Sequence, residues 1–362
     1  MSKLERVLVV GMGKVGRLVA TLLKESGFDV LGLDAQPQND LPVKVDVCDI
    51  SDAATLAGKL KGRDAVISCL PYHLNIHVAR IAHAAGAHYF DLTEDVPTTR
   101  EIRRLAETSK GVMAPQCGLA PGFIGIVGAH LASNFDELRS IELRVGALPR
   151  HPKGLLGYAF NWSAEGVVNE YLNDCEVIAG GEIKMVPAMQ DIEQIVLGGM
   201  TLEAFTTSGG LGTMCETYAG RVGELNYKTM RYPGHCKLMR FFFHELLMRE
   251  NRELAGKILV NAKPAVNEDV VYVHAAVEGT KRPPRTIREG LCRDEFVREY
   301  YPLEIAGLTW RAISWTTAAS VVAVVEMVAS GLLPGKGFIK QEEISLEAFL
   351  KTKAGALYRK FE

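Results

Sequence analysis

Residues 7–16 of the chain read Val-Leu-Val-Val-Gly-Met-Gly-Lys-Val-Gly, an apolar run followed by three glycines spaced as G-x-G-x-x-G. The first glycine of this pattern permits a tight turn, the second lets the backbone approach a pyrophosphate, and the third lets a helix pack closely on the strand. An amphipathic stretch follows at residues 15–26. The glycine spacing alone would also fit a turn in another α/β protein, but strand, glycines and helix in this order favour dinucleotide binding. The predicted contacts are Gly11, Gly13, Lys14, Val15 and Gly16.

An acidic residue closes the second predicted strand. Asp34 lies at the spacing at which dinucleotide-binding folds hold the adenosine ribose through a carboxylate. A carboxylate repels a 2′-phosphate, and Ala35 stands where an NADP site would often supply an arginine. The sequence therefore predicts NAD as the cofactor, with NADP less favoured.

Further turns are expected to border the same cofactor. Cys69-Leu70-Pro71 ends the fourth predicted strand, on the carboxyl edge where ligands bind such sheets, although Pro71 would also suit the start of a helix. Asp46, in the third strand, would either face the adenine or cap the next helix. The turn after the last strand of the first domain contributes Gly118, Ala120 and Pro121.

The first 122 residues alternate short apolar runs with helical stretches. Such runs are typical of a parallel sheet covered on both faces, and the simplest topology is a doubly wound Rossmann sheet. We therefore predict an α/β protein with three parts. An NAD-binding Rossmann domain would occupy residues 1–122, and an α+β substrate and oligomerisation domain with a mixed sheet would occupy 123–308. A C-terminal helical segment, 309–362, would pack back at the domain seam.

Strands of the second domain are expected at residues 140–146, 156–162, 203–207, 226–232 and 270–278. A turn signal at residues 281–285, Lys-Arg-Pro-Pro-Arg, would separate the last strand from a partner near 286–291. A helix from about residue 309 to 330, ended by Gly331, is apolar on most faces and should be buried.

The composition limits the choice of partner and compartment. The 362 residues carry 41 Lys and Arg against 43 Asp and Glu, a net charge of −2, and 48% are hydrophobic. This balance argues against disorder and gives no electrostatic case for nucleic acid or an anionic membrane as partner. The seven scattered cysteines contain no C-x-x-C pair, which indicates reduced thiols in a cytoplasmic protein. The apolar N-terminal run is too short for a signal peptide, and the uncharged stretch between Arg311 and Glu326 is too short to span a membrane.

Missing motifs exclude several chemistries. No tyrosine is followed four residues later by lysine, and no H-E-x-x-H occurs. His73 and His77 lie four residues apart on a predicted helix without an acidic third ligand at matching spacing, so we predict no metal. The segment from Thr207 through Ser208 and Gly209 to Gly210 lacks the context of a nucleophile elbow and suits a turn facing the substrate.

Two segments of the second domain carry polar side chains suited to an amino-acid substrate. Trp162 precedes Ser163, which is expected to cap the following helix. Arg231 comes just before a Pro-Gly turn and can hold a carboxylate through two parallel hydrogen bonds. The imidazole of His235 could relay protons near neutral pH. An exposed arginine and a histidine bonded to the turn are the alternatives, and the residues alone leave them open.

In order and spacing, these motifs resemble the saccharopine dehydrogenase-like oxidoreductases, most closely the bacterial and archaeal L-lysine 6-dehydrogenases. The similar stretches are the N-terminal glycines, residues 118–122, 162–166, 202–210 and 227–235, and the Thr316-Thr317 helix. The saccharopine reductases of the family carry Asp where this chain has Ala120. They carry Asn-Arg-Asp-Ser where it has residues 207–210.

The resemblance implies NAD-dependent oxidation of a C–N bond in an amino acid. The ε-carbon of L-lysine is the preferred site, and the product would be the semialdehyde or its cyclic imine. Saccharopine oxidation is one alternative, and a non-catalytic NAD-binding protein is another. A homodimer or homotetramer is expected.

Such a reaction needs a neutral amine, whereas a lysine ammonium has a pKa near ~10.4, so a base is required. The candidate bases, in order of preference, are His235, Glu165 and Tyr72. Arg231 would anchor the α-carboxylate of the substrate. The other predicted substrate contacts are Trp162, Ser208 and Gly209.

Overall fold

The computed structural model describes residues 4–38, 41–281 and 290–361. Its N-terminal third alternates strands and helices along the chain. They are β1 (Arg6–Val10), α1 (Gly16–Glu25), β2 (Asp29–Asp34), β3 (Lys44–Val47), α2 (Ala53–Leu60), β4 (Ala65–Ser68), α3 (Tyr72–Ala85), β5 (His88–Asp91), α4 (Val96–Ala106) and β6 (Val112–Ala114).

These strands form a doubly wound parallel sheet in the order β6-β5-β4-β1-β2-β3, which confirms the predicted Rossmann class. Alternate residues of β1 show why the strands read as continuous apolar runs. Val7 and Val9 belong to the core cluster on the α1 face, and Leu8 and Val10 belong to the cluster with α2, α3 and α4 on the other face. Because both faces are covered, no polar position is left within such a strand.

The rest of the chain forms a second sheet with helices around it. Its strands and helices are α5 (Phe123–Ala132), β7 (Glu137–Pro149), α6 (Ala164–Leu172), β8 (Cys175–Ala179), β9 (Glu182–Val186), β10 (Glu193–Leu197), β11 (Met200–Thr206), α7 (Met214–Tyr218), β12 (Val222–Arg231), α8 (His235–Arg240), α9 (Arg252–Ala262), β13 (Asp269–Thr280), β14 (Leu291–Tyr300), β15 (Leu303–Ile305), β16 (Leu308–Trp310), α10 (Ala312–Ala329), β17 (Gly337–Phe338) and α11 (Leu346–Lys351).

The second sheet has eight strands, six of them in the order β10-β11-β12-β7-β13-β14, with the β8–β9 hairpin beside β12. β7 and β12 are parallel, whereas the other pairs are antiparallel, so the prediction of a mixed sheet is confirmed. β17 returns to the first sheet and pairs in parallel with β6. The predicted turn residues 282–285 and most of the predicted partner strand lie outside the described residues, and β14 begins at Leu291.

The strand predicted at residues 156–162 is wrong. This segment is irregular, because its hydrogen bonds go to another irregular segment rather than to a sheet. The backbone N–H of Phe160 donates to the Lys263 carbonyl at 3.0 Å, and Asn161 Oδ1 accepts from the Val266 N–H at 2.8 Å. Its aromatic side chains are nevertheless buried, which explains the apolar pattern.

The helix α10 joins the two domains. It packs against α1 on one side and against β13 on the other, which explains why it is apolar on most faces. The prediction that this stretch is too short to span a membrane is wrong, because α10 alone among the described residues is long and apolar enough to do so. The prediction that it is buried is confirmed, since 78% of it lies inside the protein. Its first turn is capped by Asp269, whose carboxylate accepts from the N–H groups of Ala312 at 2.7 Å and Ile313 at 3.0 Å.

This cap can be tested by mutation. Asp269 is fully buried, so Asp269→Ala leaves two buried N–H groups without acceptors and should lower the free energy of unfolding by about 1–3 kcal/mol. Denaturant unfolding followed by tryptophan fluorescence measures this change. Asp52→Ala, which removes the exposed cap of α2, is the matched control and should cost about 0.5–1 kcal/mol. Equal effects of the two substitutions would contradict the role given to α10.

Candidate functional site

A cleft of about 850 Å³ opens between the two sheets. On one side it is bordered by the carboxyl ends of β1, β4 and β5, where doubly wound sheets bind their ligands. On the other side it is bordered by β7, β12 and α6, and α10 adds Ile313, Ser314 and Thr317. The predicted site residues that line it are Gly13, Lys14, Val15, Cys69, Leu70, Pro71, Tyr72, Gly118, Ala120, Trp162, Glu165 and Arg231.

The three glycines of the first turn have different surroundings. Gly11 has φ +88°, and a β-carbon on it would lie 3.0 Å from the Cys69 carbonyl oxygen. A β-carbon on Gly16 would lie 1.8 Å from the Gly11 carbonyl oxygen, so α1 packs tightly on the turn. A β-carbon on Gly13 would meet nothing within 4 Å, because this residue faces the cleft. Packing within the protein thus requires glycine at positions 11 and 16. At position 13 the protein leaves room for a side chain, so glycine would be needed there only to admit a ligand in the cleft.

The start of α1 suits a phosphate group. Val15 is at the N-cap position of α1 and has helical backbone angles, and no side chain caps the helix. The first N–H groups of α1 therefore have no side-chain acceptor and lie at the end of the turn nearest the cleft. Lys14 lines the cleft beside them. Burial lowers the pKa of Lys14, and the nearby Arg311 charge adds to the shift. These residues could hold the pyrophosphate of a dinucleotide.

Asp34 lies beside the glycine turn, outside the lining of the main cleft. Its Oδ2 accepts from the Met12 N–H at 2.7 Å and its Oδ1 accepts from the Gln36 N–H at 2.9 Å. These bonds orient the carboxylate at the end of β2, and each oxygen retains a lone pair for a ribose hydroxyl. Asp46 lies in β3 and pairs with Lys59 at 2.7 Å and Lys44 at 2.9 Å. It does not cap the next helix, because Asp52 does so.

The other predicted cofactor residues also have defined positions. Pro71 directly precedes α3, as the interpretation of a helix start predicts, and it also lines the cleft. Gly118 and Ala120 line the cleft, and Pro121 does not. A β-carbon on Gly122 would lie 2.0 Å from the Gly118 carbonyl oxygen, which explains the tight turn into α5.

Arg231 ends β12 and is only 2% exposed, on the wall of the cleft. Its Nε donates to Tyr171 Oη at 2.8 Å, and its Nη1 donates to Thr229 Oγ1 at 2.6 Å and to the Met230 carbonyl at 2.8 Å. Its guanidinium lies over the ring of Tyr158, 4.7 Å from the centroid. No hydrogen bond joins its Nη2 to any described residue, so this nitrogen can bind an anion in the cleft.

The structure does not bring His235 to the cleft. Its Nε2 is 3.0 Å from Tyr171 Oη and its Nδ1 is 3.0 Å from the Leu156 carbonyl. Burial lowers its pKa to about 3, and the Arg231 charge acts in the same direction. A neutral imidazole bonded at both nitrogens holds Tyr171, which in turn holds Arg231. The His235 ring is therefore neither a proton relay at the cleft nor bonded to the Pro-Gly turn, because its partners are Tyr171 and Leu156.

Ser208 and Gly209 lie behind the cleft wall and do not line it. The Ser208 N–H donates to the Glu170 carbonyl at 3.0 Å, and the Ser208 hydroxyl donates to the Asp174 carbonyl at 3.0 Å. A β-carbon on Gly209 would lie 2.2 Å from the Glu94 carbonyl oxygen. This turn therefore holds together two backbone segments that do reach the cleft.

The remaining predicted residues lie along the wall of the cleft. Trp162 Nε1 donates to Tyr158 Oη at 3.1 Å, which places its indole beside Arg231. Ser163 caps α6 as predicted, accepting from the Gly166 N–H at 3.0 Å. Glu165 is exposed, with its Oε2 3.8 Å from His73 Nδ1. Burial raises the pKa of Tyr72.

Two carboxyl groups that the sequence analysis did not single out also line the cleft. Glu94 follows β5, and its position just beyond a strand end was the signal that could have identified it. Glu170 lies within α6, and no motif marks it. Burial raises the pKa of Glu94 to about 7 and raises that of Glu170 well above its usual value.

A glycine turn at a helix start, a carboxylate at the end of β2 and a cleft between two sheets define a two-domain dinucleotide-binding protein. Comparison with family models gives two matches. Residues 7–114 match the saccharopine dehydrogenase NADP binding domain, and residues 118–354 match the saccharopine dehydrogenase C-terminal domain. The chain belongs to the saccharopine dehydrogenase family.

Individual proteins agree with this assignment. The mitochondrial alpha-aminoadipic semialdehyde synthase of Mus musculus is 25% identical over 284 residues, 73% of this chain and 30% of that protein. The saccharopine dehydrogenase [NADP(+), L-glutamate-forming] of Pyricularia oryzae is 26% identical over 199 residues, 50% of this chain and 43% of that protein. The chain thus aligns with less than half the length of either relative.

A solved structure has the same fold. The apo saccharopine dehydrogenase (L-Glu forming) of Saccharomyces cerevisiae superimposes with a TM-score of 0.72, covering 96% of both chains at 17% identity. At 17% sequence identity, this similarity shows that the two proteins share a fold.

The open space at Gly13 generates a prediction about the dinucleotide. Gly13→Ala should leave stability unchanged but raise the dissociation constant of the reduced dinucleotide about tenfold, because a steric misfit costs about 1–3 kcal/mol. Fluorescence titration measures the affinity. Gly58→Ala, at another glycine with nothing within 4 Å, is the control and should bind normally. Unchanged affinity in Gly13→Ala would place the dinucleotide elsewhere.

Proposed function

We propose that this protein is a dinucleotide-dependent dehydrogenase that oxidises a C–N bond of an amino acid. The observation that carries the proposal is Arg231, a buried guanidinium with its Nη2 unbonded in the cleft that the glycine turn also lines. A substrate carboxylate bound there would extend its other end across the cleft. The names of the relatives, which concern saccharopine and aminoadipic semialdehyde, support the same class of substrate.

The protein supplies positioning. The bonds from Tyr171, Thr229 and Met230 hold Arg231 in place before substrate arrives, so little freedom is lost on binding. A bound nicotinamide would supply the acceptor for a hydride from the substrate carbon. The turns at Cys69-Leu70-Pro71 and Gly118, which line the cleft, would hold it.

The amine must be neutral when hydride leaves, since its nitrogen donates a lone pair to the carbon. Of the three predicted bases, Tyr72 and Glu165 line the cleft, whereas His235 lies behind Tyr171. We therefore assign removal of the proton from the amine to Tyr72 or Glu165, which line the cleft. His235 takes the role of a positioning residue for Arg231.

L-Lysine is the proposed substrate, on the resemblance of the chain to lysine 6-dehydrogenases. Saccharopine is the second candidate, supported by the names of the relatives and by two further cations on the cleft wall, Arg252 and Lys257, that additional carboxylates could meet. Incubation with dinucleotide and each compound separates them. Lysine should yield ammonia and reduced dinucleotide, and turnover of saccharopine alone, with glutamate released, would reverse the order.

The anchoring role of Arg231 predicts a defect in substrate binding. Arg231→Gln should raise KM for the amino acid about 10- to 100-fold, because a hydrogen bond to a charged group is worth about 1.5–3 kcal/mol. Arg144→Gln is the control, since Arg144 is equally buried but lies outside the cleft, bonded to Glu193. Steady-state kinetics of both variants measure the effect. Full activity of Arg231→Gln at low substrate concentration would remove the anchor.

The choice of dinucleotide is proposed to rest on Asp34. The wild type should have a higher kcat/KM with NAD than with NADP, because the carboxylate repels a 2′-phosphate, although the matching domain model carries NADP in its description. Asp34→Ser should reduce the ratio of kcat/KM with NAD to kcat/KM with NADP about tenfold. Asp29→Ser, at the other end of β2, should leave it unchanged. A wild type that prefers NADP would contradict the proposal.

A further inference from the structure

Glu170 is a buried carboxyl group without a hydrogen-bond or ion-pair partner among the described residues. Its side chain lines the cleft from α6, and the residue is 7% exposed. The nearby charge of Arg231 lowers the pKa of Glu170, but burial outweighs this effect. A buried carboxyl group without a close partner is costly, because burial penalises the charged form, and a cation bound in the cleft would offset this cost.

Glu94 lies next to Glu170. A β-carbon on Gly166 would lie 3.0 Å from Glu94 Oε1, and Gly166 and Glu170 lie four residues apart on the same face of α6. The turn at Ser208 and Gly209 holds the two backbones together from behind. The two carboxyl groups are therefore fixed relative to one another by contacts outside the cleft.

Arg231 lies on the same wall without an ion pair to either carboxylate. Three of its hydrogen bonds go to Tyr171, Thr229 and Met230, and its Nη2 remains for a ligand. One cation and two carboxyl groups thus line the same space. A ligand with a carboxylate and an ammonium group could bind Arg231 through its carboxylate and the two carboxyl groups through its ammonium group.

We propose that Glu170 and Glu94 form a subsite that binds a protonated amino group of the ligand while Arg231 holds its carboxylate. The inference rests on the proposed function only in taking an amino acid as the ligand. The amino group has two sources, the α-amino group beside the carboxylate and the amino group at the far end of the side chain. The chemistry of the subsite is the same for both, and ligands that carry only one of them distinguish the two.

The ionisation of the pair supports the proposal. Burial and the neighbouring charges of Asp95 and Asp91 raise the pKa of Glu94 to about 7, and the charge of Glu94 adds to burial in raising that of Glu170. Glu94 should therefore gain negative charge between about pH 6 and about pH 8, and the affinity of the subsite for an ammonium ion should rise over that range. Other titratable or charged side chains around the pair are Tyr72, Tyr158, Glu165, Tyr171, Cys175, Tyr227, Arg231 and Arg252.

The test uses the protein with NAD bound and three ligands, hexanoate, norleucine and 6-aminohexanoate, which carry no amino group, an α-amino group and a terminal amino group. Binding is followed by the fluorescence of Trp162 on the cleft wall, so no turnover is required. In the wild type, at least one aminated ligand should bind about 10- to 100-fold more tightly than hexanoate, with the preference rising from pH 6 to pH 8.

Glu170→Gln, which is nearly isosteric, should abolish this preference and leave hexanoate binding unchanged. Glu94→Gln should reduce it, and it keeps the inference testable if the first variant does not fold. Loss with 6-aminohexanoate assigns the subsite to the terminal amino group, and loss with norleucine assigns it to the α-amino group. Glu176→Gln is the control, because its half-buried carboxyl group lies outside the cleft beside Arg100.

Two results would overturn the subsite. The first is a wild type that binds hexanoate as tightly as both aminated ligands, and the second is an unchanged preference in both Glu170→Gln and Glu94→Gln. The proposed function fails separately. A protein that turns over neither lysine nor saccharopine, yet shows the preference and loses it in Glu170→Gln, would retain the subsite and lose the enzymatic assignment.

Discussion

The arrangement of the protein depends on one helix buried between two sheets. Because α10 packs on α1 and on β13 at once, it has no solvent face, and its sequence can be apolar throughout. Burial also means that the polar groups of its ends need partners inside the protein. Asp269 supplies them at the first turn, and Glu326 near the last turn accepts from the Ser26 hydroxyl. The first turns of the helix also form part of the cleft wall, through Ile313, Ser314 and Thr317.

Within the cleft, Arg231 and Glu170 shift each other's pKa but form no ion pair. Arg231 is held by neutral oxygens and by the face of Tyr158, and no hydrogen bond joins the Glu170 carboxyl group to a described residue. A direct ion pair between them would satisfy both but would leave nothing for a ligand. Burying both groups without an ion pair between them lowers the stability of the free protein. A zwitterionic ligand could supply the partner that each group lacks.

Local patterns in the sequence predict much of the fold. Central strands of the first domain such as β1 and β4 are largely apolar because helices cover both faces, whereas β3 at the sheet edge is partly exposed. The amphipathic stretch at residues 15–26 forms the helix Gly16–Glu25. The error at residues 156–162 has the opposite cause. Tyr158 and Phe160 are buried like strand residues, but the Phe160 N–H donates to the Lys263 carbonyl in another irregular segment, which no pattern of side chains reveals.

The sequence by itself determined the Rossmann sheet, the dinucleotide turn and the presence of a buried helix, because each depends on residues close together in the chain. Only the tertiary structure decided which polar groups meet in the cleft. It placed His235 behind Tyr171 and brought Glu94 beside Glu170 through a turn at residues 208–209. These contacts join segments dozens of residues apart, and a side chain's exposure and pKa depend on what packs against it rather than on its neighbours in sequence.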